Sequence, residues 1–323
     1  MKRHLVFPLL LIATLFLSSF KAPKGSPVAL NGKLHTTGTQ LCNQNNSPLV
    51  LAGASLGWHN LWPRFYNADA VKWLANDWKC NVIRASMGVG LDDSYLENPS
   101  FALQCMTKVI DGAIKNGIYV IIDFHSHKLH TQEAKTFFAQ MAAKYSGNPN
   151  VIYEIWNEPD YYSWKDVKQY SEEVISTIRA IDTDNLILVG SPHWDQDLDS
   201  VAANPILGQK NIMYTMHFYA GTHKKWLRDR TDAVMAKGIP IFISECAGME
   251  ASGDGPIDKT EWAAYQEWMK DRKLSWIAWS VSDKNETCSM LLPRASEKGN
   301  WTGDLLKEWG KITRESIRNA NTK

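Results

Sequence analysis

Eight short apolar runs recur along the chain with helix-like stretches between them, and this repetition limits the fold more than any other feature. In order they are LVLAGAS (49–55), NVIRAS (81–86), YVIIDFH (119–125), VIYEIWNE (151–158), NLILVGS (185–191), IMYTMHFY (212–219), IPIFISE (239–245) and SWIAWSVS (275–282). Near-continuous apolar runs of this length suit parallel strands covered on both faces. The intervening stretches, among them NADAVKWLANDW, FALQCMTKVIDGAIKNG and YSEEVISTIRAID, carry apolar residues at three- and four-residue spacing, and Gly117 supplies a helix stop. Strand and helix alternating eight times predict an α/β fold, a single-domain (β/α)8 TIM barrel. An open doubly wound sheet is the alternative, but no glycine-rich phosphate loop follows the first run. The length of 323 residues would also admit two smaller domains.

The flanks add little to that core. MKRHLVFPLLLIATLFLSSF has a basic start and an apolar run from Leu5 to Leu17, too short to favour a membrane span, and reads as an export signal with its cut between Ser18 and Ser26. An uncleaved anchor is the alternative. Residues 1–26 are thus expected to be signal peptide and linker (Lys21 to Pro27 being the Lys/Pro/Gly/Ser stretch), and 27–323 the barrel domain. A short hairpin before the first run, with Asn-Asn-Ser-Pro as its turn, is expected to cap the barrel bottom, and Thr302 to Ala320 reads as a last amphipathic helix. The 35 basic and 34 acidic residues create no field for a polyanion, so an uncharged partner is expected and nucleic acid is not. Fourteen tryptophans and eleven tyrosines exceed what a core needs and suit a groove for ligands with apolar faces, although any single ring is more often core. Cys42, Cys80, Cys105, Cys246 and Cys288 lack the close spacing of a zinc or redox site, and Cys246 with Cys288 is a candidate disulfide.

Polar residues gather at one end of the runs. Arg84 lies in the second, His125 ends the third, Asn157 and Glu158 the fourth, His217 and Tyr219 the sixth, Glu245 the seventh, and Trp279 lies in the eighth. In a barrel those ends share one mouth, where such enzymes place their chemistry. Two glutamates facing each other across it are what glycoside hydrolysis requires, one holding a proton and one ionised. Arg84 and the Tyr219 hydroxyl are expected to keep Glu245 ionised, while Glu158, with no evident cation beside it, is the proton carrier. Asn157 is placed to meet a sugar 2-hydroxyl. Singly, each residue has a plainer reading as an ion pair, a surface carboxylate or a core histidine; the coincidence on six of the eight runs is what favours the site.

The sequence resembles the endo-β-1,4-glucanases, or cellulases, of glycoside hydrolase family 5, from about Gly32 to Arg318. VIYEIWNEPD resembles the family's acid/base signature, IFISEC its nucleophile strand, and DFH, HFYAGTH and IAWSVSDKNE its third, sixth and eighth strand ends. The resemblance implies that Glu158 is acid/base and Glu245 nucleophile, with Arg84, His125, Asn157, His217, Tyr219 and Trp279 as the supporting ring. It implies retention of anomeric configuration, a polysaccharide β-1,4-glucan as partner, no metal and no organic cofactor, and an exported, monomeric chain without a membrane span once mature. Lys284 and Glu286 fall where relatives hold sugar hydroxyls, and Trp194 where they offer an aromatic wall to the leaving group; Trp58 and Trp62 are candidates for the other side.

The chain departs from the family at three places. Cys246, Ala247 and Gly248 stand where Trp-Gly-Thr is common, GWHN lacks an expected histidine, and Gly88 stands in place of an aromatic. These put the non-leaving-group side of the groove in question. A β-mannanase or broad β-glucanase is therefore the nearest alternative, followed by a non-catalytic carbohydrate-binding protein and, from His125, His127 and His130, a metal hydrolase.

Overall fold

A computed structural model describes residues 22–322. The export-signal expectation falls on residues 1–21, outside that range. A helical turn α1 (Pro27–Asn31) and the hairpin β1 (His35–Thr37) and β2 (Gln40–Cys42) come first. Eight strands then close a barrel: β3 (Ala52–Leu56), β4 (Val82–Gly88), β5 (Tyr119–His125), β6 (Val151–Glu154), β7 (Ile187–Val189), β8 (Ile212–Tyr219), β9 (Ile241–Ala247) and β10 (Trp276–Val281). All neighbouring pairs are parallel, and β10 closes on β3. Around them lie α2 (Ala68–Asn76), α3 (Pro99–Asn116), α4 (Thr131–Tyr145), α5 (Trp164–Arg179), the single turn α6 (Pro192–Asp195), α7 (Leu198–Ala203), α8 (Lys225–Met235), α9 (Lys259–Arg272) and α10 (Glu308–Asn321). All eight expected strands are present, and the barrel is the one predicted.

The barrel interior is layered by strand alternation, since residues two apart share a face. Val82, Ile121, Ile152, Met213 and Phe242 form an apolar floor with Val28, Leu34 and Leu41 of the N-terminal segment, so α1 and the hairpin do cap the bottom. Two residues further along the same strands stand Arg84, Asp123, Glu154, Thr215 and Ser244, all fully buried. The floor excludes water from below and leaves the polar layer open only at the mouth.

Three local expectations are corrected. The hairpin reverses at Gly38 (φ 58°), whereas Asn45 to Pro48 forms a second turn that brings Pro48 back to bridge Cys42. The expected linker is seated: Ala22 packs on the floor, Ser26 caps α1, and the Val28 amide donates to the Gly117 carbonyl (2.9 Å). Pro and Ser read as linker composition, but here they are the N1 and N-cap residues of a helix. Finally, all five cysteines are unpaired and buried; the Cys246 thiol donates to the Ile277 carbonyl (3.3 Å) and Cys288 meets Glu286 (3.6 Å).

Candidate active site

Glu158 lies beyond its strand. β6 ends at Glu154, four residues before the predicted run does, because the chain peels away once Ile155 has bonded Leu188. Main-chain bonds from Asn157 to Phe124 (3.2 Å) and from Glu158 to Ser126 (3.3 Å) then fix the segment at the mouth. On the opposite side, a register irregularity between Thr215 and His217 sets Glu245 opposite His217. An irregularity of this kind re-aims side chains, and here consecutive residues both serve the site: Ser244 bonds His217 Nε2 (2.9 Å), and Glu245 accepts from Tyr219 and Arg84.

Arg84 organises the centre. Its Nε and Nη2 take Glu154 as a fork (2.6 and 3.2 Å), Nη1 donates to Glu245 Oε2 (2.9 Å), and Nη2 reaches Asn157 Oδ1 (2.6 Å) and Asp123 Oδ2 (3.1 Å). The Tyr219 hydroxyl donates to the other Glu245 oxygen (2.8 Å), so both oxygens of that carboxylate are held. With its oxygen on Arg84, Asn157 keeps a buried Nδ2 that has no partner and is free for a ligand oxygen. Arg84 meets Glu245 as expected, but its guanidinium is shared among three carboxyl groups. Glu154 and Asp123, absent from the expected site, share it; the signal was an ionisable residue inside an otherwise apolar two-sided run, which can only point into the barrel.

Glu158 also has a cation after all. His217 Nδ1 lies 2.8 Å from its Oε1, and His127 Nδ1 3.5 Å from its Oε2. Burial opposes a charge on His217, yet Asp195 (3.3 Å), Glu154 (3.7 Å) and Glu158 hold its pKa well above the ordinary value. Burial likewise raises Glu158, but the His217 hydrogen bond and charge, with His127 and Arg84 behind them, win and keep it low. Glu245 goes the other way: burial and the Glu158 charge push it up against the pull of His217, Arg84 and Tyr219. Five buried carboxyl groups face two cations and cannot all ionise, and burial drives Asp123 and Asp195 well above the carboxylate range. Asp195 is the third carboxyl group of the site that sequence reading missed. It sits in α6, where His193, Trp194 and Asp195 are all left-handed (φ 55°, 53° and 61°), a conformation that no residue type in this stretch signals.

Aromatic rings wall the mouth. His125, its Nδ1 on Asp123 (2.6 Å), stacks on Trp279 (centroids 5.2 Å, 11°) and meets Trp58 edge-on (4.8 Å, 66°). Trp58 lies over Gly88, where a Cβ would stand 3.0 Å from its ring and 2.2 Å from Asn60 Oδ1, so the missing aromatic at position 88 makes room for this one. Half-buried Trp62 packs against Gly57 on the same loop, and half-buried Trp194 lies in α6. Lys284 and Glu286 pair with each other (3.0 Å) on the loop after β10. Cys246 belongs to the core between barrel and helices, so this departure does not shape the groove directly. The three histidines 125, 127 and 130 go to Asp123, to Glu158 and to the start of α4 rather than to one centre.

The profile of the family described as Cellulase (glycosyl hydrolase family 5) matches residues 42–285. An endoglucanase of Clostridium saccharobutylicum is 38% identical over 97% of this chain and 71% of its own, and endoglucanase Z of Dickeya dadantii 43% identical over 80% and 62%. The chain belongs to glycosyl hydrolase family 5. Among solved structures, the catalytic domain of a Thermobifida fusca endoglucanase superposes with a TM-score of 0.86 at 34% identity, covering 91% of this chain and all of that one. A Cytophaga hutchinsonii structure gives 0.90 at 43%, covering 92% and 97%. The chain thus spans nearly all or all of those solved chains but less than two thirds of the Dickeya enzyme. Among the described residues, no helix is long and apolar enough to cross a membrane.

Proposed function

We propose that the chain is a retaining endo-β-1,4-glucanase that cleaves internal bonds of cellulose and related β-glucans, with Glu158 as acid/base and Glu245 as nucleophile. The observation that carries this reading is the approach of a Glu158 oxygen and a Glu245 oxygen to within 4.8 Å of each other and of His217. That is the spacing of double displacement, about 5 Å, and too close for the ~6.5–9.5 Å that inversion needs to seat a water.

In the first step Glu245 attacks the anomeric carbon as the glycosidic bond breaks, and the departing oxygen takes the proton shared by Glu158 and His217. The pair carries one proton between Oε1 and Nδ1: the resting site holds it on His217, against the repulsion between the Glu158 and Glu245 charges, and it passes through Glu158 to the departing oxygen. Once Glu245 becomes a neutral ester, that repulsion is gone and Glu158 is the stronger acid, suited to act as base in its ionised form. Water then gives a proton to Glu158 as it attacks the anomeric carbon, and Glu245 leaves as a carboxylate. Arg84 and Tyr219 hold Glu245 in the attacking orientation, and Asn157 offers Nδ2 to the 2-hydroxyl. His125 and Trp279 line the reacting sugar; Trp58 and Trp62 serve the non-leaving side, and Trp194, Lys284 and Glu286 the other substrate contacts. The protein acts as a monomer exported by residues 1–26.

Reducing-sugar release from carboxymethylcellulose and barley β-glucan by residues 22–323 tests the reading, with Glu158→Gln and Glu245→Gly alongside. Both variants should lose turnover, and azide should restore it to Glu245→Gly by filling the nucleophile's place. Full activity of Glu245→Gly without azide would refute the assignment.

A further inference from the structure

Tyr161 stands three residues beyond Glu158 on the loop from β6 to α5, and its side chain is 74% exposed. Exposure of a large ring at the mouth would be unremarked if it were free to turn, but it is held. Its ring meets Trp194 (centroids 5.0 Å, 77°) and His193 (5.0 Å, 83°), both edge-on. Those partners are themselves fixed: the amides of His193 and Trp194 donate to the carbonyls of Asp160 and Pro159, each at 3.0 Å. His193 Nδ1 is bound to Asp197 (2.8 Å), and Asp197 to Arg230 (3.0 Å). Three successive left-handed residues are thus kept beside the site by a latch to the very loop that carries Glu158.

We propose that Tyr161 is a specificity-determining residue that forms, with Trp194, a right-angled aromatic step for a glucosyl unit on the leaving-group side. This rests on the reading of Glu158 as acid/base. The departing sugar carries the oxygen that Glu158 protonates, so it and the units attached to it lie on the side of the Glu158 loop, whereas the other half of the substrate is bound to Glu245. Two perpendicular rings offer a pyranose one surface for its apolar face and one for its edge, a fit for a ligand with hydroxyls at its rim and C–H groups on its faces. The bonds of Trp194 to Pro159 and of His193 to Asp160 couple the step to the acid/base loop, so binding there also steadies Glu158.

The test isolates that side of the groove. A 2-deoxy-2-fluoro-cellobioside with a dinitrophenolate leaving group esterifies Glu245; cellobiose then releases the enzyme when its hydroxyl attacks the anomeric carbon and gives its proton to Glu158. The measured quantity is the cellobiose concentration giving half-maximal release, followed by mass and returning activity. Tyr161→Ala should raise that concentration about five- to tenfold, the loss of one aromatic contact, and Tyr161→Phe should keep it within about twofold of the parent. An unchanged value in Tyr161→Ala would overturn the proposal, as would equal loss in Tyr161→Phe. Failure of any adduct to form on Glu245 in the parent would overturn the catalytic reading, and this inference with it.

Discussion

Replacing Arg84 with methionine should destabilise the protein strongly at neutral pH and much less in acid. The guanidinium is fully buried and is the shared partner of Glu154, Glu245 and Asp123, at 2.6, 2.9 and 3.1 Å. Methionine preserves much of its volume but leaves those carboxyl groups without their cation, and breaking a buried pair from one side costs about 3–5 kcal/mol. The pH dependence follows from Glu154, on which burial acts upward but Arg84 and His217 together prevail and hold the pKa below its unfolded value. A carboxyl lowered in the folded state contributes stability above its unfolded pKa and loses it as pH falls through the folded one. In the variant that depression is removed, so the gap between parent and variant should be widest near pH 7 and narrow below about pH 4.5. Urea unfolding at both pH values measures it, and at pH 7 the midpoint temperature should fall by roughly 6–10 °C. The double variant Arg84→Met/Glu154→Leu should recover part of the loss, because the most tightly bound orphaned carboxylate is gone. An equal deficit at both pH values, or no recovery in the double variant, would refute the idea that charge orphaning rather than lost packing sets the cost.

Tyr219→Phe removes one of two donors to Glu245; kcat/KM should fall by roughly tenfold to a hundredfold, the value of a hydrogen bond to a charged group, and the acidic limb of its pH profile should move upward because the donor lowers the Glu245 pKa. Gly88→Tyr puts a Cβ 2.2 Å from Asn60 Oδ1 and 3.0 Å from the Trp58 ring; displacement of Trp58 from His125 should raise KM for cellopentaose more than it lowers kcat, and Trp58→Ala in the same background should add little. Gly117→Ala should lower stability by about 1–2 kcal/mol, since φ is 67° and the new Cβ would stand 2.1 Å from Ser26 Oγ; chemical denaturation reads this directly.

The barrel and the paired glutamates were legible because both leave a periodic or positional trace. Strands covered on both faces read as apolar runs, and a parallel barrel gathers their C-terminal ends, so residues separated by 87 positions, Glu158 and Glu245, become neighbours by topology alone. Electrostatic detail was less legible for a physical reason: the charge state of a buried carboxyl depends on what lies across the barrel, not along the strand. Thus Glu158 looked free of cations until His217 arrived from β8, and Arg84, expected beside Glu245, is shared with Glu154 and Asp123. Yet those two acids were visible in a weaker sense. Asp123 follows Ile121 by two residues, and Glu154 follows Ile152 by two, so each must share the face of a floor residue and stand in the barrel one layer above it. A charge there is tolerable only against a partner, and Arg84, two beyond Val82, occupies the same layer. Strand alternation alone could therefore have grouped the three before any contact was seen. It could not have found Asp195, whose position under His217 depends on three successive left-handed residues that only the fold imposes.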